Sequence, residues 1–170
     1  MNPAKATAEL ESIDPAALEP YREYFASITP TDETEIFRRF LFAFASVHTG
    51  WTANVNLYSL LWPLGWTGDR KKLRELVLES RAGLVNGRTD SIWEFKEKYW
   101  AAPENYRKRD DELWAQFRDR IRAATRGLGH AKSSFAVELT YPNDSGVACI
   151  DTHMLQSYGI KGNSSPGERT

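Results

Sequence analysis

The chain has 170 residues, 41% of them hydrophobic and 26% charged, with a formal net charge of −1. That is enough for one continuous core, and the near-neutral balance excludes a global positive field, so any contact with phosphate must come from a local face. The single cysteine, Cys149, excludes an internal disulfide and any iron–sulfur cluster or zinc site built from several cysteines of the chain, and the three histidines lack metal-ligand spacing.

No signal-peptide pattern opens the sequence and no apolar run is long enough to span a membrane, so a cytoplasmic protein is expected. Residues 1–13 are polar and read as a flexible N-terminus. Asp14 followed by Pro15 is a helix start, and Asp32 with Glu35 three residues on has the form of a capping box. Behind it Ile36, Phe37, Phe40, Leu41, Phe44 and Val47 recur at helical spacing, which predicts the central helix. Gly50 ends it. The stretch "TANVNLYSLLWPLGW" predicts a short helix that stops near Pro63–Gly65, and "GDRKKLRELVLESRAG" predicts an amphipathic one with Leu73, Leu76 and Val77 inward and Gly83 as its stop.

A further helix is expected to restart at "TDSIWEFKEKYW" with Thr89 as its cap. In "RDDELWAQFRDRIRAATRG" the stripe is Leu113, Trp114, Phe117, Ile121 and Ala124. In "HAKSSFAVEL" it is Ala131, Phe135 and Leu139, and "DTHMLQSYG" closes the helical series. The tail over 161–170 is rich in Gly, Ser and Pro and reads as flexible. With no hairpin of strands, repeat or linker in view, the expectation is an all-α single domain of about seven or eight helices, spanning 14–160.

Chemistry concentrates in "RGLGHAKSSFAVEL". Two glycines around one apolar residue allow a tight helix–helix hairpin, and they leave amide N–H groups free at the start of the second helix. Those groups and the positive helix end favour a phosphate, with His130 and Lys132 adding to the attraction in the same turn. A plain helix connection explains the same residues. Nineteen residues after Lys132 comes Asp151, with Thr152 and His153 behind it. An aspartate there caps a helix, or serves as a fixed anion that stabilises a developing positive charge.

Taken together, Gly127-Leu128-Gly129, Lys132 and Asp151-Thr152-His153 resemble the helix–hairpin–helix DNA glycosylases, the superfamily of endonuclease III and the 8-oxoguanine glycosylases. "FASVHTGWTANVNLYSLL" is similar to that family's buried helix and Ser-x-Gln-Thr turn, here Ser46, His48 and Thr49. "GLVNGRTDSIWEF" is similar to its Gly-Leu-x-Asn turn, here Gly83, Leu84, Asn86, Arg88 and Ile92. The four motifs stand in the family's order over roughly residues 33–160.

The resemblance implies a cleft between two helical subdomains that receives a base flipped out of double-stranded DNA. It implies Asp151 as the catalytic carboxylate, and Lys132 as the amine that attacks C1′ in members with AP-lyase activity. Gly127, Leu128, Gly129, His130 and Arg126 would hold DNA backbone at the hairpin, with Arg122 a further candidate. Some members keep a monovalent cation on hairpin carbonyls; otherwise no cofactor or metal is expected. His48 stands where members carry a wedge for the vacated stack, and Trp51, Asn86 and His153 would border the substrate pocket. Trp51, Tyr58, Trp62 and Trp66 supply rings for a stacking wall or for the core, and spacing does not separate the two uses.

Three departures matter. Two residues, His130 and Ala131, precede Lys132 where the family has one, so either the hairpin absorbs a residue or Ala131 fills the lysine's place and water is the nucleophile. One cysteine leaves no iron–sulfur cluster. Nineteen residues follow Asp151, fewer than in most members, which implies a compact variant whose helix 14–26 covers more of the helical surface. A monomeric DNA glycosylase is the expectation. The alternatives are a non-catalytic helix–hairpin–helix DNA-binding module and an enzyme for hypermodified, phage-type bases.

Overall fold

Residues 7–8, 11–47, 50–62 and 68–150 are described by the computed structural model. Among them run seven α-helices and one 3-10 helix, with no strand: α1 Pro15–Ser27, α2 Glu33–Ala45, α3 Trp51–Leu61, α4 Arg70–Glu79, α5 Val85–Ala101, the 3-10 turn Pro103–Tyr106, α6 Trp114–Ala124 and α7 His130–Thr140. The fold is all-α, as the periodicity predicts.

Local chemistry sets most of the boundaries. The Asp14 carboxylate accepts from the Ala16 amide at 2.9 Å, and Pro15 occupies the first turn of α1. Asp32 accepts from the Glu35 amide at 2.9 Å. The Glu35 carboxylate reaches past Asp32 to the Thr31 amide at 2.7 Å, so the reciprocal half of the cap lies one residue earlier than the sequence pattern predicts. Asp69 caps α4 through the Lys72 amide at 2.7 Å.

Helix α2 is the centre of the core. Ile36, Phe37, Phe40, Leu41 and Phe44 are buried as expected, while Val47 is half-buried. Phe95 of α5 lies against three α2 rings, its centroid 5.1 Å from Phe37, 5.6 Å from Phe40 and 4.9 Å from Phe44. Tyr99 and Tyr106 close this aromatic group, and each such side chain removed from water contributes about 1.5–3 kcal/mol. Leu57 and Leu61 of α3, and Leu73, Leu76 and Val77 of α4, complete the adjoining wall.

Helix α7 packs along α2 with an unexpected face. Its buried residues are Ser133, Ser134, Ala136, Val137 and Thr140, whereas Ala131, Phe135 and Leu139 are half-buried. The buried side chains of this face are small, and α2 and α7 make extensive contact. Two of the hydroxyls are satisfied locally, Ser133 donating to Gly129 or His130 and Thr140 to Ala136. The buried Ser134 hydroxyl has no hydrogen-bond partner among the described residues. A search for large apolar residues misses such a face.

Three other expectations change. Thr89 is not a cap: α5 begins at Val85, and the buried Thr89 hydroxyl donates to the Val85 carbonyl at 2.7 Å. The chain enters α5 through Leu84, held left-handed at φ 49°, and no side chain caps the helix there. In α6, Phe117 and Ile121 are buried but Leu113 and Ala124 are exposed, which narrows the expected stripe. Finally α1 buries none of its residues; Tyr21, Tyr24 and Phe25 are exposed, so it does not cover the helical surface as the compact-variant reading requires.

Arg88 ties these elements together. It is 5% exposed and donates to five backbone carbonyls: Phe44, Ala45 and Val47 at the end of α2, and Ala82 and Gly83 before α5. A helix end leaves its last carbonyls without intrahelical donors, and one planar guanidinium supplies them here. Burial pushes Arg88 below the usual arginine range, but five acceptors keep a cation tenable in that place.

Candidate nucleic-acid interface

Helices α6 and α7 are joined by Thr125–Gly129, and this hairpin is built from the inside out. Thr125 and Leu128 are buried, with Leu128 4% exposed in the core, so its side chain is an anchor and takes no part in a surface contact. Its amide is directed back at the Thr125 carbonyl across 3.5 Å. Between them Gly127 adopts φ +93°, a left-handed conformation that favours glycine. A Cβ there would stand 2.5 Å from the Ser91 hydroxyl and 3.4 Å from the Phe44 ring. Gly127 is thus required both by conformation and by the closeness of α5 and α2.

Gly129 differs. Its φ of −75° is ordinary, and a Cβ would meet nothing within 4 Å. It is the N-cap of α7, with no side-chain cap, and its carbonyl accepts from the Ser133 amide at 2.9 Å. The first turn of α7 therefore presents N–H groups at an exposed glycine, the arrangement that suits an anion.

Four basic side chains were expected to reinforce it, and the structure places them differently. Arg126 is exposed beside the turn, free of ion pairs among the described residues. Arg122 is also exposed, with Nε 3.9 Å from Asp119. His130 is half-buried, its Nε2 3.9 Å from Asp119. Burial pushes its pKa below the usual 6.5, Arg118 and Arg122 push the same way, and Asp119 only partly opposes them. That direction favours the neutral imidazole, which offers a hydrogen-bonding edge where a charge was expected.

Lys132 turns along the flank of α7, its ammonium 5.3 Å from the centre of the Phe135 ring. Phe135 in turn faces Phe42 of α2 at 6.0 Å, and Trp51 stands edge-on to Phe42 at 6.0 Å. Trp51 is 71% exposed at the first turn of α3, so it is not a core residue. Lys132 and Trp51 are thus brought to one aromatic surface beside the hairpin.

Asn86 is not. It lies exposed in the first turn of α5, and its side-chain carbonyl accepts from Arg74 at 3.4 Å, so nothing places it in a pocket with the hairpin. His48, Asp151 and His153 lie outside the described residues, as does Trp66. Ser46 caps the end of α2 and donates to the Ala43 carbonyl at 2.7 Å.

The return of the chain toward Asp151 is visible as far as Ile150. Beyond α7, residues 145–150 run without regular structure. The Cys149 amide donates to the Glu138 carboxylate at 3.0 Å, which fastens this segment to α7 two residues before Asp151. Burial raises the pKa of Glu138, with the Cys149 hydrogen bond holding it partly back. Sequence reading passed over Glu138; its signal was faint, a carboxylate on the last turns of a helix with an otherwise apolar, small-residue face.

A scan against protein-family models, a search of curated proteins and a search of solved structures each find no match to this chain.

Proposed function

We propose that this chain is a DNA glycosylase that removes a damaged or modified base from duplex DNA. The observation that carries the reading is the hairpin: buried Leu128 and left-handed Gly127 hold an exposed, uncapped helix start at Gly129. It stands in register with the resemblance of Asp151-Thr152-His153 and Lys132 to the family's catalytic residues. The hairpin would take a backbone phosphate on amide groups, an interaction that needs few side-chain charges and agrees with a net charge of −1.

The chemistry proposed for the flipped nucleotide is cleavage of its N-glycosidic bond. The bonding pair leaves with the base, positive charge develops at C1′, and the Asp151 carboxylate stabilises it. In the hydrolytic route water bonds to C1′ and Asp151 accepts its proton. In the lyase route a neutral lysine amine bonds to C1′ as the base leaves and gives one proton to Asp151. The C1′–O4′ bond then breaks, O4′ takes up a proton, and the protonated Schiff base at C1′ precedes strand cleavage. Lys132, half-buried beside the hairpin with its ammonium over the Phe135 ring, is the lysine that the second route would use.

The test is incubation with duplex oligonucleotides carrying oxidised, alkylated, deaminated or hydroxymethylated bases. Release of a base that Asp151→Asn abolishes while binding persists is the expected result. Duplex binding without release of any base overturns the enzyme in favour of a binding module. Borohydride trapping separates the routes: a covalent adduct lost in Lys132→Ala marks the lyase, and release without an adduct marks hydrolysis by water.

A further inference from the structure

The aromatic surface beside the hairpin does not end at Trp51. Phe42 meets Tyr58 of α3 edge-to-face at 5.0 Å, and Tyr58 meets Trp62 at 5.5 Å. Over the Trp62 ring, 3.8 Å from its centre, lies the Arg38 guanidinium. The result is a continuous run from one cation to another, Lys132–Phe135–Phe42–Tyr58–Trp62–Arg38. Each ring in it is half-buried or exposed, and Trp62 is 44% exposed.

The far end of the run is concave. Glu35, Arg38, Arg39, Tyr58 and Trp62 line a pocket of about 310 Å³. Its charges are unequally engaged. The Glu35 carboxylate is held by the Thr31 amide and hydroxyl, and Arg39 donates to the Ile28 carbonyl at 2.5 Å. Arg38 forms no ion pair or hydrogen bond among the described residues; its guanidinium lies on the face of Trp62. Burial pushes the Tyr58 phenol up against the pull of Arg39 and Arg38, so it stays a hydrogen-bond donor.

We infer that this α2–α3 face is a second nucleic-acid site, which takes an unpaired strand with a base against Trp62 and Tyr58 and a phosphate on Arg38. A row of rings with a cation at each end suits a single strand: every base offers a π-face, and the cations take backbone phosphates. A fully paired duplex hides its base faces and gains little from half-sunken rings. An acidic peptide would use Arg38 but would leave the run of rings toward Lys132 unexplained. Continuity with the hairpin through Phe42 and Phe135 joins this site to the proposed glycosylase surface. The inference extends that reading without requiring base release.

The test is fluorescence anisotropy of the full chain with a labelled oligothymidylate of about 12 nucleotides, beside a fully paired duplex. The intact chain is expected to bind the single strand. Trp62→Ala should weaken that binding about ten-fold or more and Trp62→Phe far less, since a stacking ring remains. Arg38→Gln should reduce the salt dependence of single-strand binding by about 0.7 in log–log slope. Circular dichroism checks folding; if Trp62→Ala unfolds, Trp62→Phe and Arg38→Gln decide. No single-strand affinity, or affinity and salt slope unchanged in every variant, overturns the inference, and duplex binding with base release then leaves the glycosylase reading standing. Single-strand binding lost in Trp62→Ala, with no base released from any duplex, supports the second site and sinks the glycosylase.

Discussion

Gly127 and Ser91 touch so closely that the hairpin cannot accept a side chain: a Cβ on Gly127 would lie 2.5 Å from the Ser91 hydroxyl oxygen and 2.6 Å from its Cβ. Ser91 is on the buried side of α5. Gly127→Ala adds this overlap to the strain of a φ of +93°. The expected loss is about 2–4 kcal/mol of stability, measured by urea unfolding. Adding Ser91→Gly should return about 1–2 kcal/mol of the overlap but not the strain, so a double-mutant cycle should show positive coupling. Additive effects would mean that the two residues do not meet.

Arg88 offers a second handle on the same region, because α2 ends where the hairpin meets Phe44. Arg88→Met removes the donors of five carbonyls and is expected to cost about 3 kcal/mol or more. Arg88→Lys keeps the charge but cannot fork to both segments, and should fall between the two. Hydrogen exchange of the α2 C-terminal turn should quicken in the same order. Equal stability of all three proteins would show the guanidinium to be replaceable.

The central helix and its caps were legible because they rest on local chemistry: Asp14, Asp32 and the spacing from Ile36 to Phe44 act over one or two turns. What escaped was tertiary. Thr89 looks like a cap by composition, yet Leu84 starts the helix by adopting a left-handed backbone that no residue type announces. The buried face of α7 is serine, alanine and threonine, which no hydrophobicity pattern marks. At the hairpin the glycines could be found by eye, but only the packing separates Gly127, which has no room, from Gly129, which has plenty. Spacing equally left Trp51 and Trp62 between core and surface; their exposure decides for the surface.

Glu138 is expected to act on the segment that leads to Asp151. Glu138→Gln keeps an oxygen to accept from Cys149, whereas Glu138→Ala removes the fastening. Exchange of the Cys149 amide should therefore accelerate in the alanine variant alone, with a stability loss of about 0.5–1.5 kcal/mol. Burial raises the Glu138 pKa, so the ionised form is the less favoured in the fold, and this group's contribution to stability falls as pH rises above the ordinary carboxyl range. That slope should vanish in both variants. If base release is established, it should drop in Glu138→Ala and survive in Glu138→Gln; the reverse would detach Glu138 from the site.

His130 should produce two opposed pH trends. In the free protein its pKa lies below the usual 6.5, so the unfolded chain takes up the proton first as pH falls. The stability it contributes is complete above about pH 6.5 and is lost below that, toward the folded pKa. A phosphate at the hairpin reverses the balance, because an adjacent anion favours the imidazolium and the complex then holds more protons than the free protein. Duplex affinity should accordingly rise as pH is lowered from about 7.5 to 5.5 while stability declines. Anisotropy titrations and thermal melts over that range measure both. His130→Gln should flatten both trends, and a duplex affinity independent of pH in the unaltered protein would place the phosphate away from His130.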